Sequence, residues 1–434
     1  MSSVLALVDC RSFYVSVERV WDQMLHHRPV VVLGNNDSTI VALSEEAKAI
    51  GLRREMPVFE ARDLIEQHQV VCFSSNYALY ADFSERVRQS LLSFAASPAR
   101  LETYSIDEWW IDASHIATDD LARFGREIRS TILQHVGLPT GVTLAPTKTL
   151  TKIGGEIVKR YPEHMGVLAL VARPAEELDE WLSRIAVHDV WMVGRKRAEQ
   201  LNAAGIYTAR QLRDAELSWI HRRFTVVTAR TVLELRGVPC IPLEPVSKPK
   251  KNIASAKTFG RPIERLESLC KAISAYVAHA AEKLRSQGSV ALAVSVFLTT
   301  NRFNTSQPQY SNSASKQLPV ASAFTPDLVD AALDALRRIF RLGFTYSKAG
   351  VFLSQISTGD RIQPDLFGAY DPDVYARKER IMAAVDSINR LFGPDTIFFG
   401  SMGLASERTW KMRQEHLSKH FTTRWQEILE VSAQ

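Results

Sequence analysis

The sequence predicts an α+β protein of several domains, and three observations lead to this fold class. At 434 residues the chain is long enough for two to four domains. In its first third, apolar runs of strand length alternate with segments that carry apolar residues at helical spacing. After about residue 240, a stretch rich in proline and lysine precedes a strongly basic segment. Hydrophobic residues make up 46% and charged residues 23%, as in an ordinary globular protein.

The N-terminal 75 residues are predicted to form two successive strand–helix pairs. VLALVD has the pattern of a buried strand, and SFYVSVERVW that of the helix after it, with Ser12 as its candidate N-cap. RPVVVLG predicts a second buried strand, closed by the turn-prone GNNDS. SEEAKAIGL predicts a helix that Ser44 caps and Gly51 ends.

The next segment completes a ferredoxin-like order of elements. NYALYADFSERVRQSLLSFA predicts a helix, and the strands LETYSI and WWIDAS follow it. Asp107 and Glu108 lie between these strands, where a two-residue hairpin turn is expected. The helix LARFGREIRSTILQHV and the strand TGVTLAP complete the order strand, helix, strand, strand, helix, strand. The segment from about residue 25 to 75 interrupts this order.

Two later regions indicate contact with a nucleic acid. VWMVGRKRAEQLNAAGIYTARQL pairs Gly194 and Gly205 with helical stretches, as a helix–hairpin–helix does when it presents backbone N–H groups to a DNA phosphate. An ordinary helical hairpin has a similar pattern. From Ser247 to Ile356 the chain carries 15 Lys or Arg against 6 Asp or Glu. This local charge of +9 favours a polyanionic partner, although a solvated basic surface would give the same count.

Membrane, secretory and cysteine-based classes are disfavoured. No apolar run approaches the ~18 residues that a membrane span needs. The start, MSSVLALVDCRSFY, has no basic segment before its apolar run, unlike a signal peptide. The four cysteines show no CxxC spacing, which argues against a zinc site and fits a reducing cytoplasm. We therefore expect a cytoplasmic protein without a membrane partner.

Three acids form the candidate catalytic centre. Asp9 ends one predicted strand, while Asp107 and Glu108 lie beside another, and these strand ends can be neighbours in a ferredoxin-like sheet. Converging carboxylates repel one another unless a cation neutralises them, and Mg²⁺ prefers such oxygen ligands. Two ions about 4 Å apart would stabilise the attacking and leaving oxygens of a phosphoryl displacement. Taken alone, the letters SIDE fit a surface turn better, because Asp is common in turns.

Five longer motifs, in order and at matching separations, resemble a known family. They are LALVDCRSFYVSVERV, NYALYADFS, YSIDE, GVTLAPTKTLTKIGGEIVK and VWMVGRKRAEQLNAAGI. Over nearly its whole length the chain resembles the Y-family DNA polymerases, the low-fidelity enzymes that copy damaged templates. SSNYALYAD, FGREIR, ELRGVPC, NSAS and FTTR are similar to the UmuC-type catalytic subunit of bacterial DNA polymerase V.

The resemblance implies a right-hand polymerase that performs error-prone translesion synthesis in the SOS response. A nucleotide would pass from a dNTP to the 3′-OH of primer–template DNA by a two-metal reaction. The implied domains are a ferredoxin-like palm (1–24 and 76–172), small fingers (25–75), a helix–hairpin–helix thumb (173–241), a linker (242–252), an α/β little finger that binds DNA (253–356), and a C-terminal tail (357–434).

Roles for single residues follow from the same resemblance. Asp9, Asp107 and Glu108 would be catalytic and would hold two Mg²⁺ ions, with the backbone carbonyl of Cys10 as a further ligand. No protein nucleophile is needed for this reaction.

The resemblance also implies a nucleotide site formed by four further residues. Tyr14 falls at the steric gate, beside Phe13, where its ring would exclude the 2′-OH of a ribonucleotide. Lys48 and Lys159 would contact the triphosphate as point charges. The ordinary alternatives are a core aromatic for Tyr14 and solvated surface residues for the two lysines.

The sequence departs from the family pattern at two places. Trp109 and Trp110 follow the SIDE acids, where small or aliphatic residues are usual. Because neighbouring strand residues face opposite sides of a sheet, one indole is expected in the core and the other near the primer or the surface. In the fingers, Ala42, Leu43 and Glu45 replace residues common in the family, and Glu45 would repel a triphosphate unless it points away.

Partner contacts are implied for the tail. QPDLF resembles the peptide by which bacterial polymerases bind the sliding clamp, with Gln363 in a polar pocket and Leu366 and Phe367 in an apolar one. The remaining tail would help to bind a processed UmuD-type dimer and a RecA-type recombinase filament. The alternatives are a polymerase-derived DNA-binding adaptor with weak or no catalysis, for which a steric block by Trp109 would be the reason, and, more remotely, a nucleotide cyclase.

Overall fold

The computed structural model describes residues 3–246, 248–360, 371–404, 408 and 410–430. The chain divides into two compact units. Unit 1 comprises Met1–Gly34, Ser38–Ser247 and His416–Gln434, and unit 2 comprises Asn35–Asp37 and Lys248–Glu415.

Unit 1 contains two sheets and the helices around them. Its strands are β1 (Leu5–Cys10), β2 (Val30–Leu33), β3 (Ile40–Leu43), β4 (Val71–Ser74), β5 (Leu101–Thr103), β6 (Glu108–Asp112), β7 (Thr140–Ala145) and β8 (Val167–Ala169). Its helices are α1 (Phe13–Trp21), α2 (Glu45–Ala49), α3 (Val58–Gln67), α4 (Tyr77–Leu92), α5 (Leu121–Val136), α6 (Lys148–Arg160), α7 (Ala175–Arg184), α8 (Arg195–Ala203), α9 (Ala209–Asp214), α10 (Leu217–Arg223) and α11 (Val226–Leu235).

The larger sheet confirms the ferredoxin-like order. Its strands are arranged β5-β6-β1-β7-β8, so β1 is central and antiparallel to both β6 and β7. β8 adds a parallel strand at the β7 edge. The second sheet, β3-β2-β4, is formed by the segment that interrupts the ferredoxin-like order. The end of β1 therefore lies between the start of β6 and the start of β7.

Local signals were correct at one helix start and wrong at another. Ser44 caps α2, because its hydroxyl accepts the N–H of Ala47 at 3.2 Å. Ser12 precedes α1 but does not cap it: its backbone is left-handed (φ 44°), and its hydroxyl donates to the carbonyl of Leu43 at 3.0 Å. The hairpin between β5 and β6 has a four-residue loop (104–107) instead of the predicted two, so Glu108 is the first residue of β6.

Both tryptophans of β6 are buried, which corrects the expectation that one lies near the primer or the surface. Trp109 and Trp110 are each 0% exposed, although they face opposite sides of the sheet. Trp109 belongs to the main core of unit 1, whereas Trp110 lies on the other side, against Trp191 at 5.4 Å between ring centroids. The Trp110 indole N–H donates to Thr151 of α6 at 2.9 Å. Helices thus cover both faces of the strand that carries the acids.

Replacing Trp110 with leucine is expected to destabilise unit 1 by about 3 kcal/mol, since it opens a cavity and removes a buried hydrogen bond. The ammonium of Lys148, 4.5 Å from the Trp110 ring centroid, also loses its aromatic partner. Urea unfolding measures the loss. Trp425→Leu is the control, because Trp425 is 85% exposed and its replacement is expected to change stability by less than about 0.5 kcal/mol. Equal effects of the two replacements would contradict this account.

Unit 2 is an antiparallel sheet with helices against it. Its strands are β9 (Ile253–Ile263), β10 (Ser289–Thr300), β11 (Ser311–Ser322) and β12 (Tyr346–Thr358), and its helices are α12 (Leu266–Ser286), α13 (Thr325–Ile339) and α14 (Pro372–Phe392). The strand order is β11-β10-β12-β9. Apolar residues of α12 and α13 form one core with the sheet. Among the helices that the structure describes, none combines the length and apolar character needed to cross a membrane.

Candidate active site

Strand pairing brings the three acids together at one end of the larger sheet. Asp9 of β1 lies directly opposite Glu108 of β6. The N–H of Cys10 donates to the carbonyl of Asp107 at 2.9 Å, which fixes the loop before β6 against the end of β1. The hydroxyl of Ser105 donates to the Asp107 carboxylate at 2.6 Å. The three acids therefore lie close together, as the sequence predicted. Asp107 lies in the loop, whereas Asp9 and Glu108 lie in the strands.

Two lysines of α6 neutralise part of this charge. Lys159 forms an ion pair with Asp9 at 2.9 Å, and Lys152 forms one with Glu108. The two lysines are seven residues apart, two helical turns, and so share one face of α6. Sequence reasoning predicted Lys159 as a phosphate contact but did not include Lys152, although this spacing was visible.

The remaining negative charge perturbs nearby groups. Burial raises the pKa of Glu108 above its usual value; the charge of Lys152 opposes this, and those of Asp9 and Asp107 add to it. Burial also raises the pKa of the Cys10 thiol, and the three neighbouring carboxylates act in the same direction. An additional cation at this end of the sheet would relieve the repulsion.

The chemistry of these donors fits a hard divalent cation. Three carboxylates and the Cys10 carbonyl offer only oxygen atoms, the ligands that Mg²⁺ prefers. The side chains have not converged on one point: within the described ranges, no group of three Asp, Glu, His or Cys has the arrangement of metal ligands. The ion pairs with Lys152 and Lys159 account for this, since each lysine holds one of the acids.

A cavity of about 650 Å³ opens beside the acids. Asp9 and Asp107 lie in its wall with Lys159, and residues of α1, β3 and α2 complete it. The predicted nucleotide-site residues Phe13, Tyr14, Lys48 and Lys159 all line it, as do Ala42 and Leu43.

Sequence reasoning missed three further cations in the cavity wall, Arg11, Arg53 and Arg54. Arg53 and Arg54 follow α2 and line the cavity with Lys48. The signal was the letters RR in GLRREMP, directly after the predicted helix. Lys48 pairs with Glu45 at 2.6 Å, and the Glu45 side chain is 79% exposed. The cavity wall therefore carries basic residues as well as two of the acids, and Glu45 projects into solvent.

Tyr14 is held in an aromatic cluster. Its ring stacks on Tyr80 of α4 with 4.4 Å between centroids and meets the edge of Tyr77 at 6.1 Å. Phe13 is buried next to it, 5.7 Å away. Burial raises the pKa of Tyr14, and the neighbouring Tyr77 and Asp107 act in the same direction. The Tyr14 ring thus forms a wall of the cavity close to the acids.

Known proteins match nearly the whole length of this chain. A family model described as the impB/mucB/samB family matches residues 8–156, and its C-terminal domain matches residues 250–366. The proteins ImpB and UmuC of Salmonella typhimurium are each 38% identical to this chain, covering 98% and 99% of it and 99% and 100% of their own lengths. The chain belongs to the impB/mucB/samB family, the UmuC-type Y-family polymerases.

More distant relatives place this UmuC-type chain among DNA-directed DNA polymerases. DNA polymerase IV of Moorella thermoacetica is 27% identical over 91% of the chain and 94% of its own length. A Y-family DNA polymerase chimera of Dbh and Dpo4 shares the fold with a TM-score of 0.63 at 21% identity, covering 82% of this chain and 99% of that one. A model of a domain of unknown function matches residues 379–431.

The predicted helix–hairpin–helix of this Y-family chain lies in α8 and α9. Gly194 is the N-cap residue of α8, and within the described part of the chain no atom lies within 4 Å of the position that a Cβ would take there. Gly194 and the first two residues of α8, Arg195 and Lys196, are exposed. Gly205 follows α8 with φ +83°, a conformation that favours glycine. The residues of the predicted clamp peptide, Gln363, Leu366 and Phe367, lie outside the described residues.

A buried acid behind the aromatic cluster predicts a pH-dependent stability. Burial raises the pKa of Glu18 to about 7 from 4.5, while hydrogen bonds from Tyr80 and Ser418 lower it. The folded state therefore holds this proton more tightly, so stability from this group falls as pH rises from about 4.5 through 7. Between pH 5 and 8, the free energy of unfolding measured with urea is expected to fall by about 2 kcal/mol more in the wild type than in Glu18→Gln. Glu46→Gln, at a half-exposed acid paired with Arg19, is the control and should retain the wild-type slope.

Proposed function

We propose that this protein is a template-directed DNA polymerase that synthesises past damaged bases. It would transfer a nucleotide from a dNTP to a primer 3′-OH, with release of pyrophosphate. The observation that carries the proposal is the meeting of Asp9, Asp107 and Glu108 beside a basic cavity with a tyrosine wall. Such a cavity suits a nucleoside triphosphate, because its acids can hold metal ions and its lysines and arginines can hold phosphates.

The three acids would hold the metal ions of the reaction. Asp9, Asp107 and Glu108, with the carbonyl of Cys10, would bind two Mg²⁺ ions. When bound, these ions supply stabilisation of the attacking and leaving oxygens and lower the pKa of the primer hydroxyl. Lys152 and Lys159 neutralise the acids before the ions enter and would then release them.

The cavity wall would orient the nucleotide. Lys48, Lys159, Arg53 and Arg54 would contact the triphosphate; an arginine can bind two phosphate oxygens at once, whereas a lysine acts as a point charge. The Tyr14 ring, between the acids and the aromatic cluster, would lie against the sugar and exclude a 2′-OH. This would keep the incoming nucleotide a deoxyribonucleotide.

The DNA contacts would come from outside the cavity. We propose the palm, fingers, thumb and little-finger assignments given above, with Gly194 and Gly205 shaping the helix–hairpin–helix of the thumb. The N–H groups at the start of α8 would bind a backbone phosphate. The basic segment of unit 2 would bind further phosphates, and this binding should weaken with salt.

The cellular setting is part of the proposal. As a UmuC-type polymerase the protein would act in the bacterial cytoplasm in the SOS response, with a processed UmuD-type dimer and a RecA-type filament. It would bind the sliding clamp through Gln363, Leu366 and Phe367. The burial of Trp109 in the core favours the polymerase over the adaptor alternative, for which a steric block by that residue was the reason.

Primer extension tests the polymerase proposal. The full chain is given a primer–template with an undamaged base or an abasic site, one dNTP at a time, with Mg²⁺ and with or without its proposed protein partners. We expect incorporation that follows the template base, stops on chelation of Mg²⁺ and continues past the lesion. DNA binding without incorporation under every condition would favour the adaptor.

A further inference from the structure

The C-terminal segment 416–430 lies against unit 1, in the region that matches a domain of unknown function. Leu417 forms a parallel bridge with Ser74, at the end of the edge strand β4. The Ser74 N–H donates to the carbonyl of His416 at 2.9 Å, and the His416 N–H donates to the Ser74 hydroxyl at 3.0 Å. The segment thus continues the smaller sheet at the point where α4 begins.

Two side chains secure the segment to α1 and α4. The amide of Asn76 donates to Ser418 and to the carbonyl of Lys419 at 3.1–3.3 Å, while its oxygen caps α4 by accepting the N–H of Leu79. Phe421 stacks on Trp21, the last residue of α1, with 4.7 Å between centroids and 14° between planes. The segment therefore contacts the start of α4 and the end of α1.

A chain of contacts leads from this segment to the gate ring. The Ser418 hydroxyl donates to the Glu18 carboxylate at 3.0 Å, and the Tyr80 hydroxyl donates to the same oxygen at 2.7 Å. Glu18 is 2% exposed. Tyr80 in turn stacks on Tyr14. Glu18 and Tyr14 are four residues apart on α1 and so lie on one face of it.

We propose that segment 416–430 is a positioning element for sugar selection: through Glu18 and Tyr80 it fixes the Tyr14 ring against the cavity. The inference rests on the proposed role of Tyr14 as the steric gate. Exclusion of a single hydroxyl is sensitive to the position of the ring, since displacements of about 1 Å in a binding site can change rates 10²-fold. Glu18 of α1 is a buried acceptor that Tyr80 of α4 and Ser418 of the segment share, so the segment holds the residue that also holds Tyr80.

Sugar selection is the readout that separates positioning from mere packing. It is the ratio of kcat/KM for a dNTP to that for the matching rNTP, measured with the full chain and the same protein partners throughout. In Glu18→Ala and Phe421→Ala we expect this ratio to fall about tenfold, because the displaced ring admits the rNTP. Glu18→Gln keeps an oxygen acceptor for Tyr80 and should recover most of the selection.

The matched control lies on the same segment. Trp425→Ala removes an aromatic side chain that is 85% exposed, and it should leave selection at the wild-type value. Ser418→Ala removes only the hydroxyl that meets Glu18 and should lower selection without unfolding the segment. If Glu18→Ala and Phe421→Ala fail to fold, Ser418→Ala decides whether the segment positions the Tyr14 ring. Equilibrium binding of dNTP and rNTP to the protein–DNA complex gives the corresponding ratio of dissociation constants without catalysis.

Two failures are distinguishable. If Tyr14→Ala leaves sugar selection unchanged, the gate role is wrong, and the inference falls with it. If Tyr14→Ala relaxes selection while Ser418→Ala, Glu18→Ala and Phe421→Ala keep it, the segment has a packing role only. Equal losses of dNTP and rNTP use in those three variants would overturn the inference in the same way.

Discussion

Replacing Asp107 with asparagine is expected to lower kcat for nucleotide incorporation by at least about 10³-fold, equivalent to about 4 kcal/mol of barrier. Asparagine keeps the size of the side chain but removes the negative charge that a divalent cation requires. Binding of primer–template DNA should change less than about threefold, since Asp107 lies in the cavity proposed to hold the nucleotide. Single-turnover incorporation measures the first quantity, and fluorescence anisotropy of labelled DNA measures the second.

Asp112→Asn is the matched control for this prediction. Asp112 is the last residue of β6 and accepts the N–H of Ser114 at 2.9 Å, so it lies at the opposite end of the strand from the acids. Its replacement should leave kcat within about threefold of the wild type. Incorporation by Asp107→Asn at the wild-type rate would remove Asp107 from the proposed metal site.

Replacing Tyr14 with alanine is expected to reduce discrimination against ribonucleotides about 10²-fold. The ring closes the cavity next to the acids, and its removal opens space for a 2′-OH. A pocket wall of this kind contributes discrimination of about this size against an added hydroxyl. The measurement compares kcat/KM for dNTP and rNTP opposite the same template base.

Tyr14→Phe separates the ring from its hydroxyl. Phenylalanine can keep the stack on Tyr80 at the same position, so discrimination should stay near the wild-type value. If Tyr14→Phe relaxes selection as far as Tyr14→Ala does, the phenol hydroxyl is the selective group and the steric account is wrong.

The fold of unit 1 could be predicted because its signals are local. Apolar runs of strand length, separated by helical segments, predicted β1, β6 and β7. The ferredoxin-like order then places the ends of these strands next to one another. The proximity of Asp9 to Asp107 and Glu108 followed from that order. The roles of these acids came from the resemblance and remain predictions.

Other features depend on tertiary partners that no local pattern reveals. Trp110 is buried because Thr151 and Lys148 of α6 contact it. The alternation of side chains along β6 does not reveal that a helix covers this face of the sheet. The Ser12 hydroxyl bonds to Leu43 of another strand instead of capping its own helix. Ser74 pairs with Leu417 and is hydrogen-bonded to His416, which lies 342 positions later in the sequence. No local periodicity can reveal a contact over that distance.

The long separation between β4 and segment 416–430 has a consequence for biosynthesis. Strands β1 to β7 can pair once residue 145 has left the ribosome, so the acids can meet early. Segment 416–430 emerges about 270 residues later, which at about 5 to 20 residues per second takes about 15 to 50 s. During that interval the nascent chain has a folded sheet that lacks its contacts with segment 416–430. The newborn protein therefore passes through a stage in which its acids are assembled and the contact of Ser418 with Glu18 is still missing.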